Sequence, residues 1–232
     1  MNFKNIMMLF TAVMFAGIAC KKEADNPVTR VFNITGFTAV TAGDDHEIII
    51  TSGNNFSIKA KGGVDDINEL RMQVAGGDLR IDYPVYRSNR KRVHIYITMP
   101  LISSFDFRGD CFGSVAGFQQ AGVIGKLSGA ADFSLDTDVN ELNVFISGTS
   151  KLTAVGRAVK LNAESSGKAQ YNGFAVKETA EAIVTTTGQA RAYLSVSQIL
   201  EADASGQSRI YYKGNPSAKN ITQSGEAKVI NE

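Results

Sequence analysis

The chain has 232 residues, and its 24 Lys and Arg against 23 Asp and Glu exclude the broad positive field that nucleic-acid binding uses. With 44% hydrophobic residues it can bury a core, while only 2 cysteines exclude a disulfide framework.

The chain opens "MNFKNIMMLFTAVMFAGIAC", in which Lys4 is the single charge before an uncharged run from Ile6 to Ala19. That run is shorter than the ~20 residues needed to cross ~30 Å of hydrocarbon, and it has the length of a signal-peptide core. Gly17-Ile18-Ala19-Cys20 resembles a bacterial lipobox, although Gly17 stands where Leu is common. The resemblance implies that residues 1–19 are removed and that Cys20 is diacylated, which would anchor the chain to a membrane. The alternative is ordinary secretion, with Cys20 an incidental thiol. Residues 20–30, "CKKEADNPVTR", are polar and lack apolar periodicity, which predicts a flexible tether. Loss of residues 1–19 would remove Lys4 and leave 23 basic against 23 acidic side chains, with Cys111 as the one unmodified thiol.

Residues 31–100 read as strands and turns. "HEIIITSGNNFSIKAKGG" predicts two strands around a Gly-Asn turn, and "GGDLRIDYP" and "KRVHIYITMP" each alternate and stop at Pro. "VDDINELRMQ" permits a helical turn. The region is expected to hold wider, less regular coils that continue the sheet of the following residues.

Residues 101–232 repeat. "FRGDCFGSV", "LSGAADFSL", "ISGTSKLTA", "SSGKAQYNG", "TTGQARAYL", "ASGQSRIYY" and "QSGEAKVIN" centre on Gly109, Gly129, Gly148, Gly167, Gly188, Gly206 and Gly225, at intervals of 18 to 21 residues. Such a period marks a solenoid. Before each glycine stands Ser or Thr, with Arg108 the exception; two places after it stand Cys111, Ala131, Ser150, Ala169, Ala190, Ser208 and Ala227, all small. Polar residues then alternate with apolar ones, the period of a strand with one buried face. Each glycine is expected to turn a corner that a Cβ would forbid, with the small residue inside it and the Ser hydroxyl bonding nearby backbone. Seven coils at ~4.8 Å spacing predict a column about 30 Å long.

The ordered series of "FTAVTAGDDHEIIITSG", the "GGDLRIDY" hairpin and the Ser-Gly units resembles the putative auto-transporter adhesin, head GIN domain family of Bacteroidetes envelope proteins, over residues 31–232. The resemblance implies an all-β, right-handed parallel β-helix or β-solenoid with coils of ~19–20 residues, and it brings no catalytic motif. The Lys and acidic residues after Cys20 resemble the export signal that sends Bacteroidetes lipoproteins to the outer cell face. Together these imply an outer-membrane lipoprotein that acts in adhesion or envelope structure, with the export-signal resemblance implying exposure at the cell surface.

Candidate chemistry is sparse. His46, with Asp44, Asp45 and Glu47, is the nearest thing to a metal set, but successive strand residues point to opposite faces, so a solvated acidic turn is favoured. His94 lies in an alternating strand and reads as structural. Cys111 belongs to the inward small column and reads as an inert thiol. "GKLSG" lacks the spacing of a phosphate loop. Asp132, Asp136 and Asp138 invite comparison with polysaccharide lyases, but they lie in one repeat. The favoured surface is Arg191, Tyr193, Arg209 and Tyr211, outward in neighbouring coils with Lys228 beyond, where Tyr faces beside cations suit sugar rings or anionic glycans. The expectation is a binding or structural protein without cofactor, metal or catalytic residues. Its partners would be a membrane, and glycans or another envelope protein. Carbohydrate binding is the alternative function, and a polysaccharide lyase or hydrolase is third.

Overall fold

The computed structural model describes Ala24 and residues 26–232; Cys20 and the apolar segment before it lie outside the described residues. The chain enters the fold as β1 (Val28–Phe32), which begins inside the stretch expected as a tether. β2 (Ala39–Ala42) and β3 (His46–Ser52) form a coil that turns at Asp44. β4 (Ser57–Gly62) leads into α1 (Val64–Glu69), the anticipated helical turn. β5 (Arg71–Ala75) and β6 (Asp78–Asp82) then make an antiparallel hairpin. Gly76 and Gly77 turn it with φ of 61° and 79°, the left-handed angles that match the twist of paired strands. After the loop 83–92 comes β7 (Val93–Met99).

Chain order is not stacking order here. β2 lies parallel between β6 and β8 (Ser104–Phe107), and β3 lies parallel between β7 and β9 (Phe112–Leu127). The coil of β6 and β7 therefore sits outside that of β2 and β3, and the chain returns to the inner side to continue. β3 and β4, expected as two strands around one turn, are both strands but are not partners. β7 lies between them, parallel to β3 and antiparallel to β4. β7 buries Val93, Ile95, Ile97 and Met99 and so suits a central position. β1 covers the outer edge of β4 antiparallel. Short antiparallel strands thus finish this end, where an open parallel edge would template association.

From β8 onward the coils stack in chain order. β9, β10 (Asp132–Ile146) and β11 (Lys151–Ser165) each leave a glycine corner along one sheet, bend, and return along a second sheet to the next corner. Later coils split that path: β12 (Gln170–Lys177) with β13 (Glu181–Thr186), β14 (Arg191–Ser195) with β15 (Ile199–Ala204), and β16 (Arg209–Lys213) with β17 (Ala218–Gln223), before β18 (Lys228–Asn231). The result is a β-solenoid of about seven turns with coils of ~19 residues. Two bulges each add a residue to a coil. Gly117 (φ 84°) is passed over where the pairing of β9 with β10 shifts, and a similar shift between β11 and β12 falls around Gly173 and Phe174.

The corners are backbone stacked on backbone. At Gly129, φ is 81° and an added Cβ would stand 2.9 Å from both N and O of Gly109 in the preceding coil. Ala130 N donates to that same Gly109 carbonyl at 2.8 Å, and Thr149 N repeats the bond to Gly129 O at 2.7 Å. The Ser column was expected to share this work through its hydroxyls. Its backbone does so instead: Ser128, Ser147 and Ser166 donate N–H to Phe107, Leu127 and Ile146. Inside the corner, Cys111, Ala131, Ser150, Ala169, Ala190 and Ser208 are fully buried, as their size predicts.

The first position of the corner column is Asp44, at φ 65°. A Cβ at Gly109 would point at Asp44 O, 2.8 Å away, whereas Asp44 itself faces the loop 83–92 that joins β6 to β7 rather than a glycine corner. The loop 83–92 swings wide there and leaves a hollow of about 360 Å³ lined by Asp44, Tyr83 and Arg87 among others. Only the backbone angle must be met, and Asp meets it better than most residues.

Candidate functional site

The parallel register stacks Arg191 on Arg209 on Lys228, and Tyr193 on Tyr211 on Ile230, all on the outer side of the sheet that follows the glycine corners. Strand alternation turns their neighbours Ala192, Leu194 and Ile210 into the core. The four residues singled out in the sequence therefore meet.

Their geometry differs from the expected array of open ring faces. The Tyr193 and Tyr211 rings stack on each other, with centroids 4.9 Å apart and planes 6° from parallel. Phe174, set out by the bulge in β12, meets Tyr193 edge-on at 5.5 Å, and Lys213 Nζ lies 4.4 Å from the Phe174 centroid. The inner ring faces are occupied by each other, so the stack offers ring edges, hydroxyls and flanking cations.

The two guanidinium groups do not confront each other. Arg209 folds back along the corner and donates from Nη1 to the carbonyls of Gln207, Ser208 and Glu226 at 3.1, 2.8 and 2.7 Å. Arg191 stays exposed. Like charges at strand spacing separate in this way when one finds carbonyl acceptors.

The other candidates disperse. Asp132 and Asp136 lie four residues apart on β10, about 13 Å along an extended strand. Asp138 pairs with Arg157 at 2.9 Å, and Arg157 also holds Glu178 at 2.6 Å. The three carboxylates do not converge on one cleft. His46 is buried beside the Tyr83 ring, whereas Glu47 faces outward and meets Nδ1 of His94 on the adjacent strand. Asp45 pairs with Arg92 at 3.1 Å. Among the described residues no cluster of three or more His, Cys, Asp or Glu could hold a metal ion. Cys111 is fully buried and donates to Arg108 O at 3.2 Å, and burial pushes its thiol pKa up to about 12. Gly125 to Leu127 of "GKLSG" run within β9.

One cluster was missed in the sequence. Asp66 of α1 is buried and pairs with Arg87, accepts a hydrogen bond from Lys91 N at 3.1 Å, and has Arg90 Nη1 at 3.8 Å. Glu69 takes Arg90 at 2.7 Å, and the Arg90 guanidinium lies over Tyr83 at 3.5 Å. Burial, then the Asp66 charge, pushes the Tyr83 phenol above its usual range. Asp66 and Glu69 three apart in a helical turn, ahead of two arginines, was the available signal. The cluster fastens the loop 83–92 to α1.

Solved structures share this fold. A putative adhesin from Bacteroides fragilis superposes with a TM-score of 0.81 at 19% identity, covering 90% of this chain and 99% of that one. A putative lipid binding protein from Parabacteroides distasonis gives 0.71 at 15% identity, covering 90% and 98%, and a putative adhesin from the same organism gives 0.65 at 13%, covering 89% and 97%. No curated protein shows a significant match. Residues 36–216 match the family described as putative auto-transporter adhesin, head GIN domain, and the chain belongs to that family.

Proposed function

We propose that this protein is a lipid-anchored binding solenoid of the cell envelope, held at the outer membrane through Cys20, that engages anionic glycans without turning them over. The observation that carries the binding reading is the surface cluster of exposed Arg191 and Lys213 around half-buried Tyr193, Tyr211 and Phe174. The cluster stands on strands hydrogen-bonded to both neighbours, so little side-chain and backbone freedom is lost when a partner docks. Its cations and tyrosine edges suit carboxylate or sulfate groups and sugar hydroxyls. Membership of a family described by adhesion, and solved relatives named as adhesins, support the same reading.

Two experiments test it. Cys20→Ala is expected to abolish palmitate labelling and membrane retention; a variant still labelled and membrane-bound removes the anchor. On a glycan array, acidic glycans are expected to give signal that the double change Arg191→Ala and Tyr211→Ala removes. No signal, or signal indifferent to the double change, rejects this face.

A further inference from the structure

We propose a second binding site, on the sheet that precedes the glycine corners: a groove that takes a neutral glycan chain lying along the solenoid axis. It shares with the preceding reading only the idea of glycan binding, and it uses different residues and a ligand of different charge.

The groove is a hollow of about 370 Å³ running across several coils beside the corners. One wall is the row Lys126, Phe145 and Glu164, which the parallel register places side by side on β9, β10 and β11. The other wall is Ser128, Ser147 and Ser166.

Phe145 is out of phase with its strand. In "LNVFI", Leu142, Val144 and Ile146 point into the core, and an alternating strand calls for a polar residue at 145. Instead an aromatic ring faces the groove, with Lys126 Nζ 5.8 Å from its centroid. Such a ring provides a flat apolar platform for the C–H face of a pyranose.

The three serine hydroxyls make no hydrogen bond within the described residues, although their N–H groups serve the stacking ladder. Some hydroxyls elsewhere on the solenoid surface behave otherwise, although Ser205 and Ser224 continue the unbonded column beyond the groove. Ser103, Ser195, Ser197 and Ser217 each donate to a carbonyl of an adjacent coil, at 2.9 to 3.2 Å. The groove thus keeps a row of groups that both donate and accept, which is what sugar hydroxyls require.

Two features narrow the ligand. Lys126 and Glu164 flank Phe145 with opposite signs, and at the groove end Arg108 is neutralised by Asp106 at 2.6 Å. The groove has no excess charge, which favours a neutral chain over a polyanion. Its hydroxyls recur at the strand spacing of ~4.8 Å, close to the length one pyranose adds to an extended β-linked chain. One sugar per coil is the commensurate arrangement.

The test is calorimetric titration of the full chain with cellotetraose, mannotetraose and N-acetylchitotetraose, each beside its disaccharide. At least one tetrasaccharide is expected to bind about tenfold or more tightly than its disaccharide. Phe145→Ala should weaken that binding by about tenfold or more, with the thermal unfolding midpoint little changed. Ser147→Leu, which fills the groove and leaves Phe145 in place, should do the same and serves if the alanine variant fails to fold. The pair Arg191→Ala and Tyr211→Ala should leave it unchanged. The proposal is overturned if none of the three tetrasaccharides binds at millimolar concentration, or if chain length makes no difference. It is equally overturned if binding survives Ser147→Leu, or falls with the Arg191 and Tyr211 changes instead. Acidic-glycan binding lost at Arg191 and Tyr211 would leave this outcome independent.

Discussion

Replacing Gly129 by alanine separates two demands that a solenoid corner makes on its glycine. The first is the backbone angle: φ of 81° costs an L-residue about 1–2 kcal/mol. The second is space, since the new Cβ would lie 2.9 Å from N and O of Gly109. Those are backbone atoms that cannot rotate away, and forcing them apart costs about 1–3 kcal/mol more. The bond from Ala130 N to Gly109 O, 2.8 Å long, spans the same gap and weakens with it. We therefore expect Gly129→Ala to destabilise by about 2–5 kcal/mol. Gly76 in the hairpin is the internal control, because φ is 61° but none of the described residues lies within 4 Å of its Cβ position. Gly76→Ala should cost only the angle, about 1–2 kcal/mol. Asparagine sharpens the contrast, since it tolerates the left-handed region but still carries a Cβ. Gly76→Asn should be nearly neutral, and Gly129→Asn should remain severely destabilising. Urea unfolding of the four variants, followed by far-UV circular dichroism, reads the differences from midpoints at common slope. Equal losses at the two sites, or rescue of position 129 by asparagine, would refute the claim that stacked backbones exclude a Cβ.

Three further outcomes follow from buried groups. Tyr171 is fully buried and its hydroxyl has no hydrogen-bond partner among the described residues, so Tyr171→Phe should stabilise by about 1 kcal/mol in the same unfolding assay. The Cys111 thiol, raised from 9.0 to about 12, stays protonated in the folded state where the unfolded thiol ionises. Its contribution is complete below about pH 9 and is lost as pH rises toward about 12. Stability measured across that window should fall less steeply in Cys111→Ala, and Ellman's reagent at pH 8 should label Cys111 only on unfolding. Asp66→Ala removes the buried carboxylate that faces Arg87 and Arg90, and should cost about 3 kcal/mol. Limited trypsin digestion should then cut the loop 83–92 faster than in the wild type.

The sequence was most informative where the period makes identical positions neighbours. Gly129 follows Gly109 by one coil, so columns drawn on the sequence are columns in space, and Arg191, Tyr193, Arg209 and Tyr211 could be grouped before any coordinates. It was less informative about what each side chain does once placed. That the tyrosines would spend their faces on each other, and that Arg209 would turn to three carbonyls, depends on rotamers that the pattern does not encode. Phe145 stands as an aromatic in a polar phase, a signal legible in the sequence.

Alternation and spaced glycines, both local properties of the chain, determined the strand faces, the corners and the solenoid class. Tertiary structure alone decided that β7 intervenes between β3 and β4, that the coil of β6 and β7 stacks outside an earlier one, and that Asp44 heads the glycine column. The reason is physical: a strand's pattern states which side is buried, whereas its neighbour is chosen by packing and hydrogen bonding between segments far apart in the chain. Asp44 is permitted by what is missing beside it, an adjacent glycine corner, and no local sequence feature reports that space.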